Sequence, residues 1–309
     1  MFAFDMTPNN NTGTFIDPFM DFSFKRLFGT EANKDLLIAF LNALLKDQLQ
    51  IVSLRHHNTE RFGNITQKRK AVFDLYCETD TGQQIIIEIQ QANHRWFMHR
   101  SLFYASTVVT ERGERGNWDY YLDPVYVICL MNFCFADTGK DRMVHRVGLL
   151  DKETHAVFND RVNFIYVEIP KFNKAENELD NTLDHWLYIF KNLAVLENIP
   201  LILQGDKIYE KLFRVAAINN LKPEDMQMFT AAQKAQWDEN SIRAAVIYEK
   251  EMAIKEGREQ GREQGREEGR EEGENKTRYS MASLMKKANE PIEKIAAYSG
   301  LSESEIENL

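Results

Sequence analysis

Apolar and polar positions alternate along residues 70–79 and again along 83–91, with Asp80, Thr81 and Gly82 between the two runs. A period of two marks strands, and the short polar break marks the turn that joins them. Further strands are predicted at about 50–57, 124–132, 143–150 and 163–168, with a helical stretch over about 94–112. Upstream, FIDPFMDFSFKRLF (15–28) crowds Phe around two aspartates, and Leu37, Phe40, Leu41, Leu44 and Leu45 recur at helical spacing. Two packed N-terminal helices follow from that spacing. After Pro170 the period is helical again, with Leu183, Leu187 and Phe190 on one segment and Ile208, Leu212 and Val215 on another. Helices and strands intermingle, so the class is α/β or α+β.

The C-terminal third has a different texture. A long polar helix is predicted from about 240, leading into GREQGREQGREEGREEGE (257–274), which repeats every four residues. Glu259, Glu263 and Glu267 precede Arg262, Arg266 and Arg270 by three, a spacing that stabilises a helix by about 0.2–0.5 kcal/mol per pair. Five glycines oppose it at about 1 kcal/mol each, so the repeat by itself is expected to fray. It reads as a solvated spacer, or as a self-association helix if something packs along the glycine stripe. The ending PIEKIAAYSGLSESEIENL reads as two short helices turning at Ser299 and Gly300. With Glu303, Glu305 and Glu307 on the second, it suits a packing or partner-binding module better than a helix that meets phosphates.

Composition narrows the classes. A hydrophobic fraction of 43% with 20 Phe and 4 Trp fits a folded globular chain. Cys77, Cys129 and Cys134 lack metal or redox spacing and lie in apolar strand-like runs, so they are expected to be reduced core residues. The opening MFAFDMTPNN has neither a basic start nor a continuous apolar stretch, and no apolar run is long enough to span a bilayer. The expectation is a cytoplasmic protein with no membrane segment. A net charge of −9 argues against a protein that coats nucleic acid non-specifically, although residues 50–115 carry nine Lys/Arg against seven acids.

The hairpin holds the candidate chemistry. A three-residue Asp80-Thr81-Gly82 loop, with glycine at the position needing positive φ, pairs Thr79 with Gln83 and brings Asp74 opposite Glu88. Residues so placed have Cβ atoms about 4.5–5.5 Å apart, and like charges there destabilise the sheet. Either one carboxyl is protonated or a cation sits between them, and two hard oxygen donors suit Mg²⁺ or Mn²⁺. A two-residue turn would throw Asp74 and Glu88 onto opposite faces, so the reading depends on the loop. Alternation puts Gln90 on the face of Glu88 and Lys70 on that of Asp74.

Phe73-Asp74 followed by Glu88-Ile89-Gln90 resembles the acidic motif of PD-(D/E)xK nucleases. DFSFKRLFG (21–29), NKDLLIAFLNALL (33–45), RSLFYAS, DPVYVICLMNF, the Gly-Arg-Glu repeat and the IAAYSGLSESEIENL ending together resemble the recombination-promoting nucleases, a family often labelled transposases. The resemblance implies an α/β fold of restriction-endonuclease-like type, with a mixed central sheet flanked by helices and a helical C-terminal extension. It implies a nuclease domain over 1–200, a helical cap over 201–239, a long helix with the repeat over 240–275 and a small helical module over 276–309.

The implied activity is a Mg²⁺-dependent endodeoxyribonuclease acting on DNA, leaving a 5′-phosphate and a 3′-hydroxyl. Its implied roles are recombination, mobile-element biology or DNA defence. Asp74, Glu88 and the main-chain carbonyl of Ile89 would hold the divalent ion, and Asp21, with Asp17 as competitor, would match the accessory acid. Gln90 stands where a Lys is more usual; an amide orients a water but brings no charge. Arg100, on a helical stripe with Trp96, Phe103, Tyr104 and Val108, is one candidate for the missing cation, and Lys70 is another. His94 and His99 are five apart, on different helical faces, and are read as solvated or core histidines. The alternative is a non-catalytic DNA-binding module that forms a homo-oligomer through the repeat. A true transposase would be expected to need three acids and an end-binding domain.

Overall fold

Ile85, Ile87 and Ile89 alternate with Ile86, Glu88 and Gln90, and in a strand this sends two different sets of side chains to the two faces of a sheet. The computed structural model, which describes residues 13–46, 48–61, 71–112, 119–136, 138–139 and 142–309, bears this out. Strand β1 is Leu54–His56, β2 Glu60–Arg61, β3 Ala71–Val72, β4 Leu75–Thr79, β5 Gln84–Gln90, β6 Val125–Met131, β7 Val144–Leu150 and β8 Val157–Glu168. Six of them form one sheet in the order β1-β4-β5-β6-β8-β7, while β2 and β3 pair separately. The centre β5-β6-β8 is parallel and both flanks are antiparallel, a mixed sheet.

Each face has its own core. Leu75, Cys77, Ile85, Ile87, Ile128, Leu130, Ile165 and Val167 meet helices α1 (Asp21–Phe28), α2 (Lys34–Leu44), α4 (Thr182–Asn192) and α5 (Lys207–Ala216) through Phe24, Phe28, Phe40, Trp186, Phe190 and Phe213. Tyr76, Ile86, Val127, Cys129, Phe164 and Tyr166 meet α3 (Phe97–Glu111) through Phe97, Tyr104, Ala105 and Val108. Because β5 and β6 are parallel, the chain must cross over between them, and α3 is that crossover. Both faces are therefore covered.

The hairpin has the expected register. Leu75 pairs with Ile87, Tyr76 with Ile86, Cys77 with Ile85 and Glu78 with Gln84, and the Thr79 amide donates to the Gln83 carbonyl at 2.9 Å. Gly82 closes the loop at φ +93°, and a Cβ there would stand 3.0 Å from Asp123 Oδ1. Gly82→Ala is accordingly expected to cost about 1–2 kcal/mol, read as a lower thermal midpoint. An unchanged midpoint would show that the turn does not hold the register.

Three features differ from expectation. The predicted strand over 70–79 is interrupted at Phe73 and Asp74, where the Phe73 amide turns to the Thr59 carbonyl. Cys134 is exposed, past the end of β6, whereas Cys77 and Cys129 are buried as expected. The strand predicted at 163–168 begins at Val157, because a bulge at Gly148–Leu150 lets β7 follow an exposed extension of β8. Lys70 and the opening MFAFDMTPNN lie outside the described residues.

The chain divides into two compact units between Gln236 and Trp237. Helix α6 (Pro223–Lys287) carries the glycine repeat as continuous helix, where fraying was expected. Space beyond all five of its glycines is open, so nothing among the described residues packs on the stripe, and Arg270 lies 4.0 Å from Glu267 and 3.9 Å from Glu274. In the second unit α7 (Ile292–Ser299) and α8 (Glu303–Glu307) bury Ile295, Leu301 and Ile306 with Ala282 of α6. No helix among the described residues is long and apolar enough to cross a membrane.

Candidate active site

The break in the strand at Asp74 builds the site. Had β4 continued, the Ile89 amide would face Phe73; with the strand bent, it donates instead to Asp74 Oδ2 at 2.7 Å. The Asp74 amide in turn donates to Glu88 Oε1 at 3.1 Å. Each carboxylate is thus held by a main-chain amide of the opposite strand segment, and the two sit side by side. Strand alternation also turns the Ile89 carbonyl toward β4, the side on which Asp74 lies.

Their environment is poor in compensation. Glu88 is 4% exposed and Gln90 8%. Burial pushes the Asp74 carboxyl up to about 6, with the nearby charge of Asp21 adding to the rise and Lys25 and Arg100 opposing it. Burial, and then the charge of Asp74, raise Glu88 well above the ordinary range of a glutamate. Two acids that resist ionising together have lost water without gaining enough positive charge.

The nearby cations are engaged with other partners. Arg100 Nη2 donates to Gln90 Oε1 and stands 4.0 Å from Glu88 Oε2, while its Nε is buried with no hydrogen-bond partner among the described residues. The guanidinium carbon lies 5.3 Å from the Phe97 ring centroid and 6.0 Å from that of Tyr104, so the helical stripe read from the sequence does aim Arg100 at the site. Asp21 is ion-paired with Lys25 at 2.7 Å on α1 and exposed to solvent. Asp17 is partly buried and accepts from the Phe19 amide at 2.8 Å, where it shapes the turn before α1. Gly29, which ends α1, admits the close approach of that helix: a Cβ there would come 2.9 Å from Leu75 Cδ2.

The structure therefore brings together Asp74, Glu88, Gln90 and Arg100, with Asp21 near enough to act on Asp74. Glu78, on strand β4, is half-buried against Arg112 at 2.8 Å and His57 at 3.0 Å. His94 and His99 are exposed. Sequence reasoning missed Lys25, whose charge lowers the pKa of both carboxyls. Its spacing of four from Asp21 signals their pairing, but nothing local signals that α1 lies beside the hairpin. No group of three or more His, Cys, Asp or Glu side chains suited to a metal ion occurs among the described residues.

A two-acid motif on a bent strand and its neighbour, behind a mixed sheet with a crossover helix, invites comparison with known families. Residues 18–245 match the family described as PD-(D/E)XK nuclease family transposase. The chain belongs to this family. No curated protein and no solved structure is significantly similar to it. Membership supports a nuclease-like function with DNA as substrate, and nucleases of the PD-(D/E)XK type generally use divalent metal ions.

Proposed function

We infer that the protein is a divalent-metal-dependent DNA endonuclease of the hydrolase class, with Asp74 and Glu88 as its metal-holding acids. The observation that carries this is the amide-locked pair: two hard carboxylates fixed together, buried and short of positive charge. Such a donor set fits Mg²⁺ or Mn²⁺, with the Ile89 carbonyl as a third oxygen. A divalent ion bound there supplies polarisation of a phosphodiester and a bound water of lowered pKa.

The remaining chemistry falls to the chain's own residues. Asp74 and Glu88 would both have to be ionised to hold such an ion, so affinity for metal is expected to increase with pH. Gln90, its oxygen held by Arg100, keeps its amide N–H groups as the donors that would orient a water or a phosphate oxygen. Arg100 and Lys25 bring the positive charge that Gln90 lacks, placed to attract a phosphate and to offset negative charge that grows during cleavage. Asp21 holds Lys25 in position. A role in recombination, mobile-element movement or defence against invading DNA fits this chemistry. Assembly through the repeat of α6 fits its open glycines and the exposed Ile242, Val246, Ile247 and Tyr248 on the turns before them.

Supercoiled plasmid with Mg²⁺ or Mn²⁺ tests the assignment beside Asp74→Ala and Glu88→Ala. Nicking by the wild type and its loss in both variants is the expected result. Equal nicking by all three removes the pair from the mechanism, and DNA binding without cleavage under any divalent ion favours a non-catalytic DNA-binding module.

A further inference from the structure

No Asp or Glu lies between Glu88 and Glu111, in a chain whose net charge is −9. Within that stretch the start of α3 leaves large aromatic side chains in water beside cations. Trp96 is 59% exposed and Phe103 43%. The Arg95 guanidinium lies 4.9 Å from the Trp96 ring centroid, and the His99 ring meets the indole edge-on at 5.0 Å.

Their direction matters. At 3.6 residues per turn, Trp96, Arg100 and Phe103 occupy one flank of the core-facing stripe of α3, and Met98 and Leu102 the other. Arg100 reaches Gln90 from that flank, so the aromatic ridge borders the carboxylate pair. Chain phosphates passing the pair would meet Arg95 and Arg100, and the bases attached to them would meet Trp96 and Phe103.

The geometry points to a stacking platform: Trp96, flanked by Arg95, His99 and Phe103, receives a base released from its pair next to the phosphate to be cut. The substrate class is then DNA with unpaired nucleotides, such as a bubble, a flap or a single strand. The inference rests on the nuclease reading of the same site and adds its substrate. Two physical reasons favour unpaired DNA. An exposed indole gains little from a sugar-phosphate backbone but stacks well on any free base. Glu88 is recessed, and a strand must bend to reach it, which costs an unpaired strand little and a stiff duplex much more.

The test is fluorescence anisotropy in metal-free buffer with the full chain and labelled oligonucleotides of one sequence: duplex, duplex with a central bubble, single-stranded DNA and single-stranded RNA. Wild type is expected to bind bubble and single-stranded DNA at least about ten-fold tighter than duplex. Trp96→Ala, at an exposed position, loses about 5- to 100-fold on those probes and at least several-fold less on duplex, while Trp96→Phe retains most of the affinity. The platform is overturned by equal affinity for paired and unpaired probes, by equal losses on both, by no loss, or by tighter binding of RNA than of DNA. Cleavage with Mg²⁺ on the same probes separates the two readings. Trp96-dependent binding of bubbles without cleavage by any divalent ion keeps the platform and sinks the nuclease. Cleavage of paired and unpaired DNA alike, indifferent to Trp96→Ala, does the reverse.

Discussion

Asp74→Asn and Glu88→Gln are expected to lose at least about 100-fold in cleavage while making the metal-free protein more stable. The two effects have one cause. The folded Asp74 carboxyl sits at about 6 against an ordinary 3.8, so the fold prefers it protonated. A raised folded pKa gives stability that is fully present below the unfolded pKa and is lost as pH rises through the folded one, here between about pH 4 and 6. Glu88, raised well above the ordinary glutamate range by burial and then by the charge of Asp74, adds a loss of the same sign. Near pH 8 without metal, the wild type has lost this contribution, about 3 kcal/mol for Asp74 alone.

An amide keeps the shape and cannot ionise. In Asp74→Asn the side-chain oxygen can still accept from the Ile89 amide, and in Glu88→Gln it can still accept from the main-chain amide of residue 74, so neither bond need be lost. The thermal midpoint near pH 8 in chelator should therefore be about 6–12 °C higher in Asp74→Asn than in the wild type. Mg²⁺ or Mn²⁺ should reverse the order. At about one thousand times its dissociation constant an ion stabilises the wild type by about 4.1 kcal/mol, and the variants, lacking a ligand, should not respond. A midpoint unchanged or lowered in chelator would mean that the pair is not short of positive charge, and the case for a cation would lose its physical basis.

The hairpin shows how far local chemistry reaches. Loop length and the glycine position fix the register, and the register brings Asp74 to Glu88; both steps are local and both were legible. The bend at Phe73–Asp74 was not, since it depends on the Thr59 carbonyl capturing the Phe73 amide from across the sheet edge. Lys25 escaped notice for a related reason. Its nearness to Asp74 is set by packing of α1 through Phe24, Leu27 and Phe28, and a helical period reveals which face is buried but not what the other face approaches. Cys134 looked like a core residue because the apolar run PVYVICLMNF does not show where its strand ends. The glycine repeat was misjudged on propensity: about 1 kcal/mol per glycine argues against a helix in isolation, yet α6 enters the repeat with several turns already formed, and propagation is far easier than nucleation.

Arg100→Met should slow cleavage by about 10- to 100-fold without weakening the apparent affinity for Mg²⁺, and this split distinguishes its role from that of the carboxylates. The guanidinium lowers the pKa of both acids, which means that it stabilises their negative charge. By the same attraction it repels a divalent ion bound to them, so its removal leaves the metal held as tightly or more so. What is lost is the charge facing a phosphate and the grip on Gln90 Oε1, both of which act on the substrate. A residue with only a packing role would behave otherwise, since loosening α3 against β5 would loosen Glu88 and Gln90 with it, and metal affinity and rate would fall together. Arg100→Lys separates charge from shape: an ammonium restores the point charge but not the planar fork over Phe97, so partial recovery of the rate is expected. Metal titrations of the cleavage rate, run for wild type and both variants, give the two quantities in one experiment. Weaker metal binding in Arg100→Met, at whatever rate, would assign Arg100 to the frame of the site instead of its chemistry.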